Sequence, residues 1–268
     1  MQNENLSSRR NGALIMEFFD CNCSYGVPMK PPLAPSLVPD DVLAEMDFCG
    51  IQRALVRNLA VSEETPEVGN LLTSQNVVGN DRFTAAWGIL PPQTGELGTV
   101  AEFLASADKA GVRALWAFPS AHRYLLNKTT FGGLFEEMVA RGMPLFLPRS
   151  ESSGGLDAYA TADSILRDFP KLHLIITAQG PWGEDRLFRP LIEAYPNFGV
   201  DTSRYELDGG LADICNKYGP HRLYFGTNFP NTPMGGPMLT LLHAKISDTD
   251  REWVAGGNLR RVLSSPSL

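Results

Sequence analysis

A chain of 268 residues, 43% hydrophobic and 20% charged, is long enough to bury roughly three quarters of its extended surface around one core, which excludes a minimal stapled scaffold. Its 25 Gly and 20 Pro are spread along the chain rather than clustered, and a mean hydropathy of -0.12 excludes disordered and fibrous classes. Thirty acidic residues against 23 basic ones, a net charge of -7, leave no basic patch to follow a phosphate backbone, so no nucleic-acid partner is expected.

No apolar run approaches the ~20 residues that span a bilayer, and the opening MQNENLSSRRNGAL lacks the apolar segment of a secretory signal. The expectation is a cytoplasmic chain with no membrane partner, and its oligomeric state, a homo-oligomer included, stays open. Cys21, Cys23, Cys49 and Cys215 are too sparse for a disulfide framework and read as reduced thiols. Residues 1–13 read as a polar extension, and no linker divides the rest, so a single domain over 1–268 is expected.

Short apolar runs predict strands at Leu14–Cys21, Ile51–Arg57, Phe83–Leu90, Val112–Phe118, Met143–Pro148, Leu172–Ala178, Phe198–Asp201 and Arg222–Gly226. Apolar residues three and four apart predict helices between and after them, over Asp40–Cys49, Thr65–Val78, Leu97–Ala110, Phe131–Arg141, Leu156–Phe169, Asp185–Ala194, Leu207–Lys217, Met238–Lys245 and Asp248–Leu263. Gly50, Gly111 and Gly142 sit at helix exits, with Pro170, Pro196 and Pro220 just beyond others. Alternating strand and helix demands parallel pairing with right-handed crossovers. Eight such units in ~250 residues is the size of an α/β (β/α)8 barrel. A doubly wound open sheet would want a G-x-G-x-x-G turn after the first strand, where DCNCSYG stands instead.

In such a barrel the strand ends converge on one mouth. The candidates there are Asp20, Asn22 and Ser24; Arg57 and Asn58; Trp116 and His122; Arg149 and Glu151; Gln179; Asp201, Ser203 and Arg204; and Thr227, Asn228 and Asn231. Strict alternation puts Cys21 and Cys23 out of phase with Asp20, Asn22 and Ser24, so the thiols are expected to face the helices. Of four histidines, His173 and His221 precede strands and His243 lies in an outer helix. Only His122 reaches the mouth.

FDCNCSYG over 19–26, LIITAQG over 174–180, YPNFGVD over 195–201, YGPHRLYFGTNFP over 218–230 and GNLRRVL over 257–263 together resemble the amidohydrolase-related family of metal-dependent hydrolases and decarboxylases. The resemblance implies a TIM barrel carrying D-x-H-x-H on the first strand, a His after the fifth and sixth strands and an Asp after the eighth, holding metal that activates water. Here Asn22 and Ser24 stand for the first two histidines, Pro148 or Arg149 for the third, Gln179 for the fourth and Asn228 for the aspartate. No metal or other cofactor is therefore expected.

Two functions compete. In the first, a hydrolase or lyase works on a small carboxylated substrate without tightly held metal. Arg149 or Arg57 orients the carboxylate, Asn22, Gln179 and Asn228 form a neutral amide cluster for a developing oxyanion, and Asp20, Glu151 or His122 moves the proton, with Asp201 among the substrate-binding groups. In the second, a catalytically silent scaffold binds a small anion or a protein partner. If the mouth binds an anion, Arg149, paired with Glu151, is the expected anchor. Gly235-Gly236-Pro237 is a candidate phosphate-binding turn.

Overall fold

The structure is a computed structural model that describes residues 16–29, 37–77, 79–180 and 184–264; the predicted extension over 1–13 lies outside them. The elements follow the expected alternation. They are β1 (Phe19–Tyr25), α1 (Pro39–Cys49), β2 (Arg53–Asn58), α2 (Ala60–Glu63), α3 (Pro66–Val77), β3 (Phe83–Gly88), α4 (Val100–Lys109), β4 (Val112–Trp116), α5 (Lys128–Arg141) and β5 (Leu145–Pro148). A small hairpin, β6 (Ser152–Ser153) with β7 (Leu156–Asp157), precedes α6 (Ala158–Asp168). There follow β8 (Leu174–Thr177), α7 (Asp185–Ala194), β9 (Phe198–Asp201), α8 (Gly210–Tyr218), β10 (Leu223–Tyr224), α9 (Gly235–His243), α10 (Asp248–Glu252) and α11 (Asn258–Leu263).

Eight parallel strands run in the order β1-β2-β3-β4-β5-β8-β9-β10. The ring closes where the Cys21 amide donates to the Phe225 carbonyl at 2.8 Å and the Ser24 amide to that of Phe229 at 2.9 Å. The architecture is the (β/α)8 barrel that the alternation predicts.

Two layers of apolar residues follow from the pleat, because successive strand residues face opposite sides. Phe19, Cys21, Leu55, Ala86, Ala114, Trp116, Phe118, Phe146, Ile175 and Tyr224 fill the barrel, with Leu259 and Val262 of α11 packed among them. Their alternates, such as Val56, Ala85, Leu115, Leu145, Ile176 and Val200, pack against the helices.

The alternation fails for the cysteines. Register slips between Asp20 and Cys23, a bulge that turns the chain by one side chain. Cys21 shares the barrel interior with Phe19, two residues before it, and beyond the slip Cys23 joins the helix-facing layer instead. Burial pushes both thiols well above their ordinary value, so neither is a reactive thiolate.

Other boundaries shift for local reasons. β1 begins later than its apolar run suggests because its partners are Arg53 to Asn58 of β2; Leu14 lies outside the described residues. α4 starts at Val100 because Thr99 caps it, its Oγ1 accepting from the Glu102 amide at 3.3 Å while Glu102 accepts from the Thr99 amide at 2.9 Å. Leu156 belongs to the hairpin, and Asp157 caps α6. The predicted helix over Asp248–Leu263 is split by a wide turn at Trp253–Gly257, where a Cβ on Gly256 would stand 2.8 Å from the Glu17 carbonyl. Gly235, Gly236 and Pro237 form the first turn of α9 rather than a separate anion-binding loop. Among the described residues no helix is long and apolar enough to cross a membrane.

Gly199 of β9 lets the Tyr224 ring enter the barrel, since a Cβ there would stand 2.5 Å from Tyr224 Cε2 and 3.0 Å from the Arg222 carbonyl. Gly199→Ala is expected to lower stability by about 1–3 kcal/mol, as overpacking does. A urea midpoint equal to the parent's would contradict this packing.

Candidate functional site

At the C-terminal end of the barrel the bulge in β1 places Asp20 and Asn22 beside β9 and β10. Asp20 is fully buried. Its Oδ1 accepts from the Asn22 and Thr227 amides, each at 2.9 Å, and its Oδ2 from the Thr227 hydroxyl at 2.5 Å. Asn22 reaches the opposite way, Nδ2 donating to Asp201 Oδ2 at 3.0 Å. Asp201, also fully buried, further accepts from the Ala178 amide at 2.9 Å and from the Ser203 hydroxyl at 2.9 Å. Asn22 thus stands between two carboxyl groups and links β1, β9 and the ends of β8 and β10.

The backbone around this network is held in an uncommon conformation. Ala178 (φ 55°) and Asn228 (φ 58°) are both left-handed, and an alanine there carries a steric cost that its surroundings must offset. The Ala178 amide bonds Asp201, and the Asn228 amide donates to the Asn22 carbonyl at 2.8 Å. A Cβ on Gly226 would meet Asp201 Oδ2 at 2.8 Å, so glycine is needed for the approach of β10.

Desolvation pushes Asp20 up to about 6 and Asp201 up to about 7, against an ordinary 3.8, although their hydrogen bonds pull the other way.

Beside this network lies a cation with no ion-pair partner among the described residues. Arg57 ends β2 only 7% exposed. Its guanidinium lies 4.5 Å from the Trp116 ring centroid and 5.3 Å from that of Phe118, over a stack in which Trp116 also faces Phe146 at 5.1 Å. Arg57 Nε and Nη1 are buried and have no hydrogen-bond partner among the described residues, as are Trp116 Nε1 and Thr177 Oγ1. Burial lowers Arg57 to about 10, with only the fields of Cys23 and Glu63 opposing.

The remaining sequence candidates are distributed differently from expectation. Arg149 is half-exposed and pairs with Glu184 at 2.6 Å, not with Glu151, which accepts from the Ser120 amide at 2.6 Å. The reason is reach: the turn after β5 aims Glu151 at the loop after β4, while Arg149 faces the start of α7. His122 is anchored by Nε2 to the Val61 carbonyl at 2.8 Å and meets Phe118 edge-on. Gln179 is buried, but its Oε1 accepts from the Tyr159 hydroxyl at 2.5 Å and its Nε2 donates to the Ile176 carbonyl. Gln179 therefore forms no hydrogen-bonded cluster with Asn22 and Asn228; Asn22 is taken by the carboxyl groups instead. Arg204 pairs with Glu206 at 3.8 Å.

Tyr159 and Glu184 escaped the sequence reading. Tyr159 sits within a helical pattern that carries no chemical signal, whereas Glu184, close after the sixth barrel strand, was open to the same strand-end argument that singled out Gln179.

A family model described as amidohydrolase matches residues 29–264. No curated protein matches in sequence. Among solved structures, 5-carboxyvanillate decarboxylase from Sphingomonas paucimobilis superposes with a TM-score of 0.71 at 17% identity, over 92% of this chain and 99% of that one. 2,6-Dihydroxybenzoate decarboxylase from Rhizobium gives 0.71 at 15%, over 93% and 99%. Dihydroxybenzoic acid decarboxylase from Polaromonas, with bound manganese and the inhibitor 2-nitroresorcinol, gives 0.72 at 18%, over 93% and 97%.

The donors present here do not fit such a metal. Asn22, Ser24, Gln179 and Asn228 offer amides and a hydroxyl where imidazoles and a carboxylate would be needed. Asn22, Gln179 and both aspartates are already occupied by protein donors or acceptors, and Ser24 Oγ donates to the Phe229 carbonyl at 3.2 Å. Among the described residues no three His, Cys, Asp or Glu are grouped to hold an ion.

Two outcomes are expected. Purified protein should carry zinc, manganese and iron far below one equivalent by emission spectroscopy, and a chelator should leave its melting temperature unchanged; one equivalent bound at these residues would refute the donor argument. Second, Asp20 and Asp201 bind protons more tightly folded than unfolded, so their contribution to stability is complete below pH ~4 and falls as pH rises through about 6 to 7. The loss is on the order of 1.4 kcal/mol for each tenfold change in proton affinity. Urea midpoints from pH 4 to 8 should fall less steeply for Asp201→Asn than for the parent; parallel curves would sink the assignment.

Proposed function

Because the chain belongs to the amidohydrolase family, we propose that it recognises a small carboxylated molecule at the barrel mouth and acts on it, as a hydrolase or lyase, without a resident divalent metal. The observation that carries this reading is Arg57, a buried guanidinium with two nitrogens lacking partners. An unpaired buried charge is costly, and a ligand carboxylate, which a guanidinium matches in a bidentate fork, would offset that cost. Trp116 Nε1 and Thr177 Oγ1, buried and unpartnered, would donate to the same ligand. The anion-binding role foreseen for Arg149 passes to Arg57, because Arg149 already has Glu184.

Proton transfer falls to Asp201 in this reading, since its carboxyl titrates near neutrality. Asp20 serves as the clamp that holds β10 through Thr227. His122, committed to a backbone carbonyl, and Glu151, committed to the Ser120 amide, position loops. The decarboxylase names of the superposed structures favour a lyase. A silent anion-binding scaffold is the second reading, favoured by how completely both aspartates are hydrogen-bonded.

A thermal-shift panel of small carboxylates tests the proposal. At 100 times its Kd a ligand should stabilise by about 2.7 kcal/mol. Arg57→Met should abolish that shift while raising the unliganded melting point, and Arg149→Met should retain the shift. If no carboxylate stabilises the protein, or if Arg57→Met keeps the response, the mouth is not the site. Binding without turnover, followed by carbon dioxide release and by hydrolysis assays with chelator present, would select the silent scaffold.

A further inference from the structure

The opposite end of the barrel carries a second concentration of positive charge. A cavity of about 280 Å³ there is lined by Arg53, Arg113 and Arg260, with Thr84, Ser264 and Phe19 among its other walls. Among the described residues no acidic side chain lines it, in a chain whose net charge is -7. Arg260 is answered from outside by Glu17 at 2.9 Å. Arg53 and Arg113 have no carboxylate partner among the described residues.

Each arginine is placed by a different element. Arg53 opens β2 on the same inward phase as Leu55 and Arg57, and its guanidinium lies 4.5 Å from the Phe19 ring centroid. Arg53 Nε is buried and unpartnered among the described residues. Arg113 projects from β4 on the exposed side. It also borders a neighbouring cavity with Arg141; Arg141 is committed to Asp108 at 2.5 Å and to Glu137, whereas Arg113 has no ion-pair partner among the described residues. The surroundings stay electropositive: burial first, then Arg261 and Arg222, hold His173 down at about 4.

We propose that this cavity is a second anion site, separate from the mouth, that binds a phosphoryl group. Guanidinium groups arriving from β2, β4 and α11, with the hydroxyls of Thr84 and Ser264 beside them, suit an anion whose oxygens point in several directions and whose charge exceeds one. A carboxylate, planar and singly charged, engages fewer of them. The volume admits a free phosphate or the phosphate end of a small ester. Bound there, the anion would tie α11 to β2 and β4 across the base of the barrel.

Isothermal titration in chloride buffer, with inorganic phosphate, methyl phosphate and acetate as probes, tests the site without the non-specific stabilisation that phosphate gives any fold. One saturable site for inorganic phosphate or methyl phosphate is expected, with acetate weaker. Arg113→Gln, on the surface, and Arg53→Met, which keeps the contact with Phe19, should each weaken binding by about tenfold or more. Arg57→Met should leave phosphate binding unchanged, so failure here and failure at the mouth are separable. Tighter binding of methyl phosphate assigns the site to an ester, and tighter binding of inorganic phosphate to the free ion. Absence of saturable binding, acetate equal to phosphate, or full affinity in both arginine variants overturns the proposal.

Discussion

Asn22, whose backbone amide donates to Asp20 and whose side-chain amide donates to Asp201, is the residue around which the C-terminal end of this barrel is organised. A parallel barrel must join its first and last strands, and the last one here, β10, is only two residues long. Backbone pairing alone gives that seam little strength. Asp20 supplements it by accepting from both the amide and the hydroxyl of Thr227, and Asn22 extends it to Asp201 and so to β8 and β9. Two buried carboxyl groups are tolerable because every oxygen is met by a donor. They are nonetheless pushed toward neutral pH by loss of water.

This arrangement lies at the positions where the resemblance implies metal ligands. Divalent ions bind where several ligands are held open toward a common point. Here the groups at corresponding positions are turned toward one another or toward neighbouring protein: Asn22 to Asp201, Gln179 to Tyr159, Ser24 to the Phe229 carbonyl. A saturated hydrogen-bond network stabilises the seam. Arg57, by contrast, keeps Nε and Nη1 without hydrogen-bond partners among the described residues.

Charge along β2 is the second organising feature. Alternation sends Arg53, Leu55 and Arg57 to the same side, so one strand delivers a guanidinium to each end of the barrel. Both guanidiniums rest on aromatic rings, Arg53 on Phe19 and Arg57 on Trp116. An aromatic face supports a cation without consuming its hydrogen-bond donors. That is how each arginine stays partly buried yet keeps nitrogen atoms available.

Much of this was legible in the sequence, and the limits are physical. Hydrophobic periodicity and glycine and proline punctuation determined the eightfold strand and helix alternation, because these depend on contacts a few residues apart. Strand-end reasoning likewise brought Asp20, Asn22, Asp201 and Thr227 to one end of the barrel. What tertiary structure alone decided was pairing: that Arg149 meets Glu184 and not Glu151, that Gln179 turns to Tyr159, and that Arg57 Nε and Nη1 have no hydrogen-bond partner among the described residues. The bulge between Asp20 and Cys23 belongs to the same class, since it puts Cys21 and Cys23 on opposite faces although they are two residues apart. Such choices depend on the register of strands distant in sequence, and a shift of one residue reverses which face a side chain occupies. Composition and spacing carry no record of that register.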